Sequence, residues 1–209
     1  MEFKELDFGS IEPLLISEEF IKRFARLDKM CHHFHLSLQS GCDETLKRMN
    51  RRYTIAEFKE IVDRIRNNFN DSILTTDIIV GFTGETENEL DSTYKFLKEI
   101  KFYKMHIFKY SIRRGTKAEN MPNQVDSIIK EKRSKLLLEL SDKNETEYLE
   151  EYIGKNIKVL FEEKDDEGFY KGHTSNYIIA KVKSDEDLVN KIVNVKAKNQ
   201  NNFMLECDI

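Results

Sequence analysis

Between residues 31 and 42 the chain reads Cys31-His32-His33-Phe34-His35-Leu36-Ser37-Leu38-Gln39-Ser40-Gly41-Cys42. Thiols and imidazoles this dense suggest zinc, yet the spacing matches no standard structural zinc pattern. In a strand His32 and His33 leave on opposite faces, so no metal site is expected here. The same alternation places Phe34, Leu36 and Leu38 on one face and His33, His35, Ser37 and Gln39 on the other. One face is greasy and one carries hydrogen-bonding groups. Downstream, Asp77 sits inside an apolar run, where a carboxylate is costly unless it meets a basic partner or faces a cavity. Glu12 and Glu85 fall at the ends of candidate strands, and Arg51 follows a short candidate helix.

Parallel α/β proteins place their chemistry where strand C-termini meet helix N-termini, and the chain is built to make such junctions. Ser10 to Pro13 reads as a strand end. Ser17 reads as the cap of a helix carrying Phe20, Ile21, Phe24 and Leu27. After the histidine-rich strand, Asp43 is the expected N-cap of a short helix with Leu46 and Met49. Thr54-Ile55-Ala56-Glu57 is a capping box, and Phe58, Ile61, Val62, Ile65 and Phe69 form a helical stripe behind it. Ile73 to Phe82 reads as a strand buried on both faces, closed by Gly81 and Gly84. A second capping box, Thr86 to Glu89, opens a helix with Leu90, Tyr94 and Leu97, and a strand follows from Met105 to Tyr110. Repeated strand–helix units at this spacing predict a parallel sheet. A long helix from Asp126 or Ser127 to Tyr152 reads as a rigid connector between two bodies. Beyond Gly154 come five short candidate strands: 157–161, 169–174, 177–182, 192–196 and 203–205. Five strands in so short a stretch favour a small barrel of the kind that binds oligonucleotides.

The 209 residues carry 34 basic and 38 acidic side chains, a net charge of -4, so no polycation announces nucleic acid. From Glu147 onward acids outnumber bases, and the argument for RNA rests on stacking by the surface of Phe169, Tyr170, His173, Asn176 and Tyr177. No apolar run approaches the roughly 20 residues of a membrane span. Three cysteines without a Cys-x-x-Cys pair point to a reducing, cytoplasmic setting.

Several stretches resemble one family. His35-Leu36-Ser37-Leu38-Gln39-Ser40-Gly41-Cys42-Asp43, Leu46 to Arg51 with Tyr53-Thr54, Thr75 to Phe82 with Gly84-Glu85-Thr86, and Tyr110-Ser111 with Arg114-Gly115-Thr116 resemble the radical S-adenosylmethionine methylthiotransferases. The Cys-x-His-Phe-His-Leu-Ser-Leu-Gln-Ser-Gly-Cys pattern most resembles the MtaB-type branch, which acts on threonylcarbamoyladenosine beside the tRNA anticodon. The stretch Gly172 to Tyr177 is similar to the family's TRAM domain. The resemblance implies the later strands of a partial parallel (β/α) barrel over residues 1–146 and an all-β TRAM barrel over residues 147–209. The family's Cys-x-x-x-Cys-x-x-Cys cluster motif has no counterpart in this sequence. The 4Fe-4S clusters that act with S-adenosylmethionine in the parent would therefore need ligands from other polypeptide.

By the same resemblance Glu12, His35, Ser37, Gln39, Arg51, Asp77 and Glu85 are candidates to line the cofactor cavity. Interior packing, helix-end solvation or ordinary ion pairing is the plainer reading of each. Lys47, Arg48, Arg52, Arg113, Arg114 and Lys117 are candidates for tRNA phosphates, with a solvated charged surface as the alternative. Tyr170, His173, Asn176 and Tyr177 are the candidate RNA contacts of the barrel. The expected partners are a tRNA anticodon stem-loop and a missing N-terminal half, with no membrane. A chain inactive alone is expected, or else a stand-alone RNA-binding module or one half of a split enzyme.

Overall fold

The computed structural model describes Leu6, Asp7 and residues 9–209. Four strands, β1 (Ser10–Ile11), β2 (His33–Gln39), β3 (Ile73–Val80) and β4 (Lys104–Lys109), form a parallel sheet in the order β1-β2-β3-β4. The connections carry the helices α1 (Glu18–Phe24), α2 (Asp43–Arg48), α3 (Ile55–Asn68) and α4 (Glu87–Ile100). Both capping boxes form: Thr54 with Glu57, and Thr86 with Glu89. Phe34, Leu36 and Leu38 are fully buried against a core with Phe58, Val62, Ile65, Leu97 and Phe102. The helices thus cover one face of the sheet, and the polar side chains are left on the other.

Several local expectations shift. Cys42, not Asp43, is the N-cap of α2 and gives no side-chain cap bond; Asp43 Oδ1 accepts instead from Ile55 N at 2.8 Å, tying α2 to α3. Leu27 lies beyond α1 and is exposed, because the helix ends after two turns. The strand at Ser10 is cut to two residues by a 3-10 turn that starts at Pro13. The strand from Ile73 ends at Val80, where Gly81 takes a φ of +68°.

The long helix α5 (Ser127–Glu150) is more than a connector. Leu137 and Leu140 enter the core of the sheet, Ser141 Oγ accepts from Met105 N at 2.9 Å, and Asn144 donates to Phe102 O at 3.0 Å. One stripe of α5 therefore serves as a further helix on the covered face, alongside β4. Its end supplies Leu149 to a second core.

That second core belongs to a closed barrel of β5 (Asn156–Lys164), β6 (Phe169–Thr174), β7 (Ile179–Lys183), β8 (Lys191–Asn201) and β9 (Met204–Asp208), ordered β5-β6-β7-β9-β8. Tyr177 falls outside β7, in a turn with a φ of +73°. Tyr170 is buried among Val159, Phe161 and Leu205, so it is a core residue and offers no surface on which a base could stack. Asn176 is buried too. Its Nδ2 donates to Asp71 O at 2.8 Å and to Tyr152 Oη at 2.7 Å, and His32 N donates to Ser175 O at 2.9 Å. The barrel is thus seated on the N-terminal ends of β2 and β3.

Candidate functional site

The uncovered face of the sheet is set by pairing register. His35 stands beside Thr75, Thr75 beside Lys104, and Asp77 beside His106, so period-two alternation turns all of them to one side. They line a cavity of about 550 Å³ that the barrel closes with His173, Tyr177 and Ile179. His35 Nε2 is 3.3 Å from Asp77 Oδ2, and its Nδ1 is 3.0 Å from Thr75 Oγ1. The same hydroxyl lies 2.9 Å from His33 Nε2, and His33 Nδ1 lies 3.2 Å from Asp7. Tyr177 stacks between His33 and His173, with centroid separations of 4.8 and 4.6 Å. Burial holds the His33 imidazole below its ordinary pKa, opposed by the Asp7 carboxylate; burial lowers His106 as well, opposed by Asp77.

The ligand atoms of His35, Asp77 and His106 come within 4.8 Å of one another, the one group of metal-ligating side chains so arranged among the described residues. The expectation of no such grouping looked to Cys31, His32, His33, His35 and Cys42. Of those, Cys31 and Cys42 are buried at opposite ends of β2, His32 pairs with Asp71 at 2.7 Å, and His33 and His35 meet at the Thr75 hydroxyl. His106 went unnominated because the signal lies between segments. It shares parity with Asp77 only once the strands are in register.

A second cavity, about 490 Å³, lies at the C-terminal edge of the sheet and is lined in part by Gln39, Lys47, Arg48, Arg51 and Phe82. Gln39 ends β2 at a φ of +69°. Arg51 Nη1 is 3.3 Å from Glu12 Oε2, both half-exposed. Tyr53 Oη donates to Ser37 O at 2.6 Å and to Leu38 O at 2.9 Å, which fixes the strand end, and burial pushes its pKa up to about 12.

Several other nominated residues are engaged by partners of their own or lie outside both cavities. Arg48 is engaged by Glu89 at 2.7 and 2.9 Å and by Thr83 O at 3.2 Å. Glu85 is buried against Arg133 at 2.6 Å and accepts from Gly81 N at 2.9 Å; burial pushes its pKa up, while the amide and the guanidinium oppose the rise. Ser37 lines neither cavity, and Arg113 and Arg114 are exposed on the loop after β4. The cysteines do not converge: Cys207 is on β9, and burial raises its thiol to about 11. These residues do not fit the ligand set of an iron–sulfur cluster.

Residues 8–97 match the model of the Radical SAM superfamily. The chain is 39% identical over 197 residues to the threonylcarbamoyladenosine tRNA methylthiotransferase MtaB of Bacillus subtilis, covering 92% of this chain and 44% of that protein. It is 40% identical over 195 residues to a tRNA-2-methylthio-N(6)-dimethylallyladenosine synthase of a Thermoanaerobacter species, covering 92% of this chain and 41% of that one. The chain thus spans less than half the length of these curated relatives. Among solved structures, the radical SAM enzyme coproporphyrinogen III oxidase of Escherichia coli shares the fold, with a TM-score of 0.52 at 13% identity over 94% of this chain and 46% of that one. Among the described residues no helix is long and apolar enough to cross a membrane.

Proposed function

Residues 8–97 carry a radical SAM domain, and from that premise we propose that this chain is the cofactor- and RNA-supporting part of a tRNA methylthiotransferase. Its substrate in this reading is N6-threonylcarbamoyladenosine beside the anticodon, and its barrel is a TRAM domain. The carrying observation is the Glu12–Arg51 pair beside the cavity that Gln39 lines at the C-terminal strand edge. S-adenosylmethionine bears an amine and a carboxylate on one carbon. A carboxylate 3.3 Å from a guanidinium is the complementary acceptor and donor pair, with Arg51 donating to the carboxylate and Glu12 accepting from the amine. Gln39 adds an amide at the same edge. When bound, the cofactor supplies the methyl group or the radical. This chain's residues orient it, and the Tyr53 hydroxyl holds the strand end they stand on. No step is assigned to a cluster, because Cys31, Cys42 and Cys207 do not meet.

The preference for threonylcarbamoyladenosine over dimethylallyladenosine rests on the histidine-rich pattern of β2, since relatives of both kinds are about equally identical. The test is binding by the 209-residue chain. S-adenosylmethionine is titrated calorimetrically into wild type and Arg51→Ala, and anticodon stem-loops with and without the threonylcarbamoyl group are titrated at several salt concentrations. The reading requires cofactor binding weakened about tenfold or more by the substitution, equivalent to 1.4 kcal/mol, and tighter binding of the modified stem-loop. RNA binding with no cofactor binding would favour a stand-alone RNA-binding module. Binding of neither refutes both.

A further inference from the structure

We propose that His35, Asp77 and His106 form a binding site for one divalent first-row transition-metal ion, with zinc, cobalt and ferrous iron the fitting class. The site is independent of the methylthiotransferase reading, because every ligand lies on this chain. Two donors of a tetrahedral ion with bonds of about 2.0–2.1 Å stand about 3.4 Å apart. His35 Nε2 and Asp77 Oδ2 already stand 3.3 Å apart. His106 completes the group, its ligand atom lying within 4.8 Å of those of His35 and Asp77. Among the described residues the His106 imidazole makes no hydrogen bond, although it stands beside a carboxylate and, at 5.7 Å between centroids, the ring of His35.

The support behind the ligands points the same way. A ligating histidine almost always gives its other ring nitrogen to an oxygen partner, which fixes tautomer and orientation. Here Thr75 Oγ1 takes that place for His35 Nδ1 at 3.0 Å. Thr75 is itself held by His33, and His33 by Asp7. The three ligands come from adjacent hydrogen-bonded strands, a rigid scaffold. Two imidazoles and one carboxylate suit borderline ions over magnesium or calcium, which prefer all-oxygen sets. Three protein ligands leave further coordination positions, and these turn to the 550 Å³ cavity, where water or an oxygen-donor ligand can enter.

The test uses the full chain after chelator treatment, titrated anaerobically with cobalt(II) and then competed with zinc. Visible absorption and calorimetry give stoichiometry and affinity, and a thermal melt with and without metal gives an independent readout. One equivalent is expected to bind and to raise the melting temperature. His106→Gln, at an exposed position where the fold is retained, should weaken binding at least tenfold, and Asp77→Asn likewise. His173→Gln, in the same cavity but outside the triad, should bind as wild type does. Absence of saturable binding at one equivalent, or wild-type affinity in folded His106→Gln, overturns the assignment. So does equal weakening by His173→Gln.

Discussion

Arg133→Met removes the guanidinium that pins the turn after β3 to α5. The pair it breaks is buried at both ends: the Arg133 side chain is 5% exposed and Glu85 4%. Nη1 donates to Glu85 Oε1 at 2.6 Å and to Glu85 O at 3.1 Å, while Nη2 reaches Glu87 at 2.5 Å. Glu87 is mostly exposed, so that bond contributes little. Glu85 decides the outcome. Without Arg133 its buried carboxylate keeps only the Gly81 amide, and breaking such a pair costs about 3–5 kcal/mol. At about 2–4 °C per kcal/mol for a chain of this size, the melting temperature falls by about 6–20 °C.

Adding Glu85→Gln to Arg133→Met should restore most of the loss. The amide oxygen still accepts from Gly81, and no charge is left buried. The cycle should give a coupling of about 2 kcal/mol or more, read from urea midpoints at constant slope. The pH dependence has a fixed sign. Burial raises the Glu85 pKa in the folded state, so its favourable contribution is full below the unfolded value near 4.5 and is lost as pH rises through the folded value. The Arg133→Met penalty is therefore smallest in acid and grows toward neutrality. A single variant within about 1 kcal/mol of wild type at pH 7, or a double variant no better than the single, refutes the reasoning.

At Gly172 an added Cβ would strike Leu160 O and lie 2.6 Å from Phe161 Cα on the paired strand, so Gly172→Ala should abolish the cooperative melt of the barrel. Asn176→Ala removes the donors to Asp71 O and Tyr152 Oη; a loss of about 1–3 kcal/mol is expected, with faster amide exchange around Ile73. His33 is held below its ordinary value near 6.5, so the folded state resists its protonation. Stability present above the unfolded value should fall as pH drops through that window, and His33→Gln should flatten the fall in urea midpoints measured from pH 7.5 to 5. A profile unchanged by His33→Gln would contradict the burial argument.

Local grammar made the sheet legible. Capping boxes at Thr54 and Thr86 fix where α3 and α4 begin, and alternation in β2 assigns its greasy and polar faces correctly. What escaped depends on contacts between distant segments. Tyr170 alternates like a surface aromatic, and only barrel closure shows which parity points inward. Asn176 resembles a loop amide until Asp71 O and Tyr152 come within reach of its side chain. Arg48 and Glu85 carry the right charges for ligand contacts. Their partners, Glu89 and Arg133, are 41 and 48 residues away, and no spacing rule reaches that far. The triad of His35, Asp77 and His106 escaped for the same reason: its members are neighbours only through strand register.

The barrel's position constrains any joint role for the two cavities. Its contacts, Ser175 O with His32 N and Asn176 with Asp71 O, all fall at the N-terminal ends of β2 and β3. Glu12, Gln39 and Arg51 stand at the opposite ends, and the seven residues of β2 at about 3.3 Å each place about 23 Å between them. His173 and Tyr177 stack with His33 and line the histidine-rich cavity, and Tyr177 remains 43% exposed. A nucleic acid that touched this barrel while its base reached the Gln39 edge would have to span that distance along the uncovered face of the sheet. That path passes His106 and Phe108, both exposed on β4.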